Sequence, residues 1–160
     1  MLSQNGFTDQ YFMGEALKQA VRAMDEDEIP VGCVIVCNNR IIAKSYNQTE
    51  KLTDTTAHAE MIAITAASEY LGSKFLHECT MYITLEPCLM CAGAIAWSRV
   101  GRVVVGASEE KSGFISKYQL EDALHPKTSI EFGLMEEESR MLLQEFFYKK
   151  RKGNKRDNQE

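Results

Sequence analysis

The sequence predicts an α/β domain of three layers, with helices on both faces of a central mixed five-stranded sheet. Two observations carry that prediction. Two apolar, β-branched runs lie close enough to form a hairpin, at 31–37 (VGCVIVC) and 41–46 (IIAKSY). After them helical and strand-like segments alternate, an order that lays strands side by side with helices crossing over them. A length of 160 residues suits one such domain, and a chain of that size buries about 70% of its unfolded surface.

Each element has a local reason. From Thr8 to about Met24, the residues Phe12, Ala16, Leu17, Ala20, Val21 and Met24 recur at helical spacing, with Thr8 or Asp9 available as N-cap. An acidic turn (DEDEIPVG) and Pro30 then lead into the first apolar run. Asn38, Asn39 and Arg40 separate the two runs, and asparagine tolerates the positive φ of a tight turn. Residues 47–57 (NQTEKLTDTTA) read as a polar loop. A helix is expected from about His58 to Leu71, with Ala59, Ile62, Ala63, Ala66 and Ala67 as its buried stripe and Gly72 as its stop. Thr80 to Leu85 reads as a strand, and Pro87 is expected to open a second helix, CLMCAGAIAWS. Val103 to Val105 form a short apolar strand, and 107–129 reads as loop or short helix. Ile130 to Leu134 is expected to be the last strand. Glu136 to Arg151 is the last helix, carrying Met141, Leu142, Glu145, Phe146 and Tyr148.

Composition excludes several classes. With 44% hydrophobic and 26% charged residues, the chain is neither disordered nor fibrous. No apolar run approaches the roughly 18–20 residues that cross a bilayer, and MLSQNGFTDQ lacks a basic-then-apolar leader. Five cysteines without regular spacing make a poor disulfide framework, so a reducing cytoplasm is the expected location. The net charge of −5 is unevenly placed: residues 149–160 (KKRKGNKRDNQE) carry +4 and the rest −9. One domain over 1–148 followed by a flexible basic tail over 149–160 is the expected organisation. Such asymmetry suits an anion or nucleic-acid contact, or simply a solvated C-terminus.

Two short segments hold the chemistry: His58-Ala59-Glu60 and Pro87-Cys88-Leu89-Met90-Cys91. Cys88 and Cys91 are three apart, on one face of a helix, and can close on a single ion. Zn²⁺ takes thiolate and imidazole ligands tetrahedrally, and His58 is the natural third ligand. Three protein ligands leave a position for water, whose pKa the ion lowers toward ~7. Glu60 lies two residues past His58, so it points away from the ligand direction and can shuttle protons without occupying the metal. Other readings remain at this point. The Cys-x-x-Cys could be a redox pair, or a structural zinc knuckle completed by a fourth donor such as Cys79. Cys33, Cys37 and Cys79 read more simply as core residues. His77 and His125 receive no metal role, and Trp97 reads as core or subunit interface.

His-Ala-Glu followed by Pro-Cys-x-x-Cys resembles the motif of the zinc-dependent nucleobase deaminases, a cytidine deaminase-like fold. The segments 28–36 (EIPVGCVIV), Asn47, 54–60 (DTTAHAE), 82–95 (YITLEPCLMCAGAI) and 97–106 (WSRVGRVVVG) are similar to the bacterial tRNA-specific adenosine deaminase branch of that family. The likeness spans nearly the whole chain. It implies a hydrolase that turns the wobble adenosine of a tRNA anticodon into inosine, with one Zn²⁺ per subunit and a zinc-activated hydroxide. Glu60 would be the catalytic proton shuttle and His58, Cys88 and Cys91 the ligands. It further implies substrate contacts from Asn47, Ala59, Leu85, Glu86 and Glu109, phosphate contacts from Lys149, Lys150, Arg151 and Lys152, and a homodimer, for which the apolar 92–97 stretch offers a surface. The chain departs from the family at Asp54-Thr55-Thr56, where the tRNA enzymes read Asp-Pro-Thr, at Glu109, where they have Asp, and over 114–128 (FISKYQLEDALHPKT). A deaminase of a free base or nucleoside, guanine or cytosine in type, is the second expectation. A non-catalytic RNA-binding subunit is the third, and the presence of Glu60 argues against it.

Overall fold

The structure is a computed structural model and describes residues 7–158. The first six residues of the segment read for a leader, and the last two of the basic tail, lie outside the described residues. The element order is α1 (Asp9–Asp25), β1 (Gly32–Cys37), β2 (Arg40–Tyr46), α2 (Ala59–Leu71), β3 (Cys79–Leu85), α3 (Leu89–Ser98), β4 (Arg102–Ala107), β5 (Ser129–Phe132) and α4 (Glu136–Asp157).

The five strands form one sheet in the order β2-β1-β3-β4-β5. β1 pairs antiparallel with both β2 and β3, while β3, β4 and β5 run parallel. The sheet is therefore mixed and covered on both faces, as predicted. Cys33 and Ile35, Met81 and Ile83, and Val103 and Val105 share a core with Ala59, Ala63 and Ala67 of α2 and Ala92 and Ile95 of α3. The alternate residues Val34, Val36, Tyr82 and Val104 pack with Phe12, Met13 and Ala16 of α1, and Met135 at the start of α4 joins them. Period-two alternation on unbroken apolar strands is what two covered faces require.

Several boundaries differ from the sequence reading. The hairpin turn is only Asn38-Asn39, both at positive φ, and Arg40 already pairs with Cys37. Thr8 is the N-cap of α1, its hydroxyl accepting from the Tyr11 amide at 3.1 Å. Gly72 ends α2 in the left-handed conformation. Pro87 does not open α3: Cys88 is the N-cap, and the proline precedes it. β5 begins one residue early and ends at Phe132, before Gly133 at φ 97°. The last helix runs past Arg151 to Asp157, so the basic segment from 149 shares α4 instead of following it. Lys152-Gly153-Asn154 resembles a helix stop, but the chain continues helical through Gly153. Met141 and Tyr148, two of the residues the sequence places on that helix, are exposed, and Trp97 is 85% exposed, which removes the core reading of it.

Candidate active site

The site gathers at the edge of the sheet where β2, β3 and β4 end. Leu85 pairs with Ala107 there, and Gly32 at the start of β1 pairs with Tyr46 at the end of β2. Both α2 and α3 begin at this edge. Their N-caps are His58 and Cys88, and neither side chain caps its own helix. Both are left free to face one another. The His58 Nδ1 lies 3.6 Å from the Cys88 sulfur and 3.4 Å from the Cys91 sulfur. All three donor atoms fall within 4.8 Å of one another.

That triangle fits zinc. Ligand bonds of about 2.0–2.3 Å in a tetrahedron put neighbouring donors roughly 3.5–3.8 Å apart. Among the described residues this is the group of His, Cys, Asp or Glu that meets the spacing, and one ion per chain is what it accommodates. Cys79, the other donor considered, is buried opposite Cys37, and burial pushes its thiol up to about 12. It is remote from thiolate chemistry.

Electrostatics prime Cys88 for ligation. The Cys91 thiol donating to it, together with the His58 ring, brings the Cys88 thiol down to about 4 against the effect of burial. The same hydrogen bond, with burial, pushes Cys91 up, so the pair shares its proton unequally. The Cys88 sulfur raises the pKa of His58. Glu60 is 4% exposed, and burial lifts its carboxyl above the usual range.

A cavity of about 180 Å³ opens onto this group. Glu60, His58 and Cys88 line it, together with Asn47, Leu85, Glu86 and Glu109. The structure thus brings the expected substrate residues Asn47, Leu85, Glu86 and Glu109 to one hollow with the ligand set. Ala59 is buried beneath it, its carbonyl accepting from the Ser45 hydroxyl. The four basic residues are not brought together. Lys150 lies beside a second hollow that shares Ile29 and Phe147 with the first, whereas Arg151 lines a groove against α1 on the other side. Consecutive helical residues are about 100° apart, so four in a row cannot face one strand of RNA.

Sequence reasoning missed four contributors. Leu143 and Phe147 of α4 close the cavity, and their i, i+4 spacing is the signal that could have found them. Glu28 is buried and accepts from the Lys51 amide at 2.7 Å, bracing the 47–57 loop, but in DEDEIPVG it looks like any other acid of a turn. Ser45 gave no signal within its strand.

Comparison with known proteins follows the same lines. A family model of the cytidine and deoxycytidylate deaminase zinc-binding region matches residues 7–107. The tRNA-specific adenosine deaminase of Aquifex aeolicus is 43% identical over 145 residues, which is 89% of this chain and 95% of that protein. A structure solved in a study of A-to-I editing by tRNA:A34 deaminases at the wobble position of transfer RNA superposes with a TM-score of 0.77 at 40% identity, covering 83% of this chain and 99% of that one. The guanine deaminase of Bacillus subtilis superposes with a TM-score of 0.62 at 37% identity, over 64% and 66% of the two chains.

Proposed function

The chain belongs to the cytidine and deoxycytidylate deaminase family, and we propose that it hydrolyses the wobble adenosine of a tRNA anticodon to inosine and ammonia. The observation that carries this is the 180 Å³ hollow in which Glu60 stands beside the His58, Cys88 and Cys91 group. A hollow of this size at the ligand group suits a single nucleobase. A base must therefore be turned out of its strand to enter, and an anticodon loop presents bases already unstacked. Similarity to tRNA-specific adenosine deaminases over nearly the full length supports tRNA as the source of that base.

Zinc, when bound by His58, Cys88 and Cys91, supplies a Lewis acid that makes water nucleophilic at neutral pH. The remaining work falls to the protein. Glu60 takes one proton of the attacking water and delivers it to the ring nitrogen beside C6. It then takes the remaining hydroxyl proton at C6 and passes it to the amine, so that the C–N bond breaks, ammonia leaves and the C6 carbonyl forms. Asn47 holds the base edge by hydrogen bonds. Burial of Glu60 excludes bulk water, so each proton passes through its carboxylate. Lys150, paired with Asp27 at 2.8 Å, exchanges that partner for a phosphate of the loop, a contact that fixes position and carries no sequence information.

A homodimer belongs to the same proposal. Trp97, with Ile64, Ala94 and Leu124, borders an apolar hollow between α2 and α3 that a second copy of the chain would cover. Among the described residues no helix is long and apolar enough to cross a membrane. The proposed substrate places the enzyme in the cytoplasm.

The deciding experiment offers zinc-loaded protein an anticodon stem-loop with adenosine at the wobble position, beside free adenine, adenosine, guanine and cytosine. Inosine from the stem-loop, with the small substrates untouched, is the expected result. Ammonia from a free base with an unchanged stem-loop would replace the tRNA reading with the free-base one.

A further inference from the structure

Glu86 is 3% exposed at the end of β3, two residues before Cys88, and its carboxylate is fully engaged. Oε1 accepts from the Glu109 amide at 3.1 Å and from the Ser116 hydroxyl. Oε2 accepts from the amides of Ile115 and Ser116 at 3.0 and 2.9 Å. All four donors come from one segment, 109–116. The same segment is stitched beside the metal ligand: Gly113 bridges to Cys88, and the Phe114 amide donates to the Pro87 carbonyl at 3.1 Å. Phe114 is sunk in the core. A Cβ on Gly113 would run into the Glu86 carboxylate and the Glu109 carbonyl, so only glycine lets the segment lie this close. From here Glu109 and Ser112 reach the wall of the cavity.

A buried carboxylate is costly unless its oxygens are satisfied. Here one loop satisfies them all, so burying Glu86 and closing the loop are a single event. We propose that Glu86 is a positioning residue: its carboxylate latches segment 109–116 over Cys88 and thereby builds the pocket wall that Glu109 and Ser112 provide. Glu86 lines the cavity too, but with its carboxylate committed to four bonds from the loop it serves substrate through that wall. The kinetic consequence rests on the deaminase reading; the latch itself does not.

Glutamine separates the bonds. Its single oxygen can keep the Ile115 and Ser116 amides, and its NH₂ can face the Ser116 hydroxyl. That NH₂ then opposes the Glu109 N–H, donor against donor. In zinc-loaded protein, amide hydrogen exchange followed by NMR should show Glu86→Gln losing protection at Glu109 alone, by on the order of tenfold. Glu86→Ala should lose it at Glu109, Ile115 and Ser116 together. Gly113→Ala keeps the carboxylate but wedges it out, and should reproduce the Ala pattern even if Glu86→Ala does not fold. Zinc should stay at one per chain in each. For the stem-loop substrate, KM should rise about tenfold to a hundredfold in Gly113→Ala with kcat changed far less, the usual scale for a misplaced binding wall.

Unchanged exchange over 109–116 in Glu86→Gln and Gly113→Ala would overturn the latch. So would a loss of protection spread evenly over α1 and β1, which is global destabilisation, or a fall in kcat at constant KM. If the wild-type protein leaves the stem-loop unreacted, the deaminase reading fails while the exchange data still decide the latch.

Discussion

A carboxylate serves as proton shuttle only if it reaches the reacting water without binding the metal itself. In the proposed reaction the His-x-Glu spacing serves both conditions. His58 is the N-cap, still in extended backbone, and Glu60 is the second residue of α2, buried in the cavity lining. One residue between them turns the two side chains apart while keeping both at the helix start. Replacing Glu60 by Gln keeps the shape and removes the proton acceptor. Turnover should then fall by about 10²–10⁴-fold, while metal analysis still finds one zinc per chain. An empty metal site in that variant would show that Glu60 supports the ligands instead.

The helices divide the labour of the site. α2 and α3 each deliver an N-terminus, and the partial positive charge there favours thiolate at Cys88. α4 closes the cavity with Leu143 and Phe147 and carries its basic turns outward. Its charges follow its dipole, with Glu136, Glu137 and Glu138 in the first turn and Lys155 and Arg156 in the last. Because Lys150 borders the hollow next to the cavity and Arg151 the groove against Leu17 and Val21 of α1, the two substitutions should differ. Lys150→Ala should weaken stem-loop binding and lower the slope of log K against log salt by about 0.7, one phosphate contact to a single strand. Arg151→Ala should leave that slope unchanged. Filter binding across a salt series reads both.

At the scale of the whole molecule, one polar network ties the helical layer to the sheet. Arg102 on β4 donates two bonds to Asp9 at 2.7 and 2.9 Å, Tyr82 on β3 donates a third at 2.6 Å, and Arg102 also reaches Glu131 on β5. The Arg102 guanidinium holds the Asp9 carboxyl down at about 2, against an ordinary value of 3.8. A depressed carboxyl stabilises the fold fully above its unfolded pKa and ceases to do so as pH falls through its folded one. Asp9→Asn should therefore cost about 1–2 kcal/mol at neutral pH, with the gap narrowing between pH 3.8 and 2. Urea unfolding of both proteins at each pH measures it, and a gap that widens in acid would reverse the assignment. The opposite face makes a separate prediction. Trp97 is 85% exposed beside the apolar hollow, so Trp97→Asp should turn a dimer into a monomer in sedimentation, and a wild-type protein already monomeric would remove the proposal.

The sequence by itself determined the sheet, its two covered layers and the identity of the metal group. Those features rest on local chemistry: β-branched runs, helical periodicity, two ligands one turn apart, and a histidine at a helix start. It also carried the Asn-Asn turn and the Gly72 stop, because both need backbone conformations few residues accept. What it could not decide was whatever depends on distant segments meeting. Glu28 and Glu86 look like surface acids in sequence and are buried braces in the fold, because their partners lie 23 to 30 residues away. Trp97, which the sequence reads as core or interface, is exposed, because an apolar residue is buried only if another element arrives to cover it. The rotation of α4, which sends Leu143 and Phe147 to the pocket and Arg151 away from it, is set by packing against α1 and the sheet. Periodicity specifies that a helix has faces; only tertiary contact chooses which one looks at the active site.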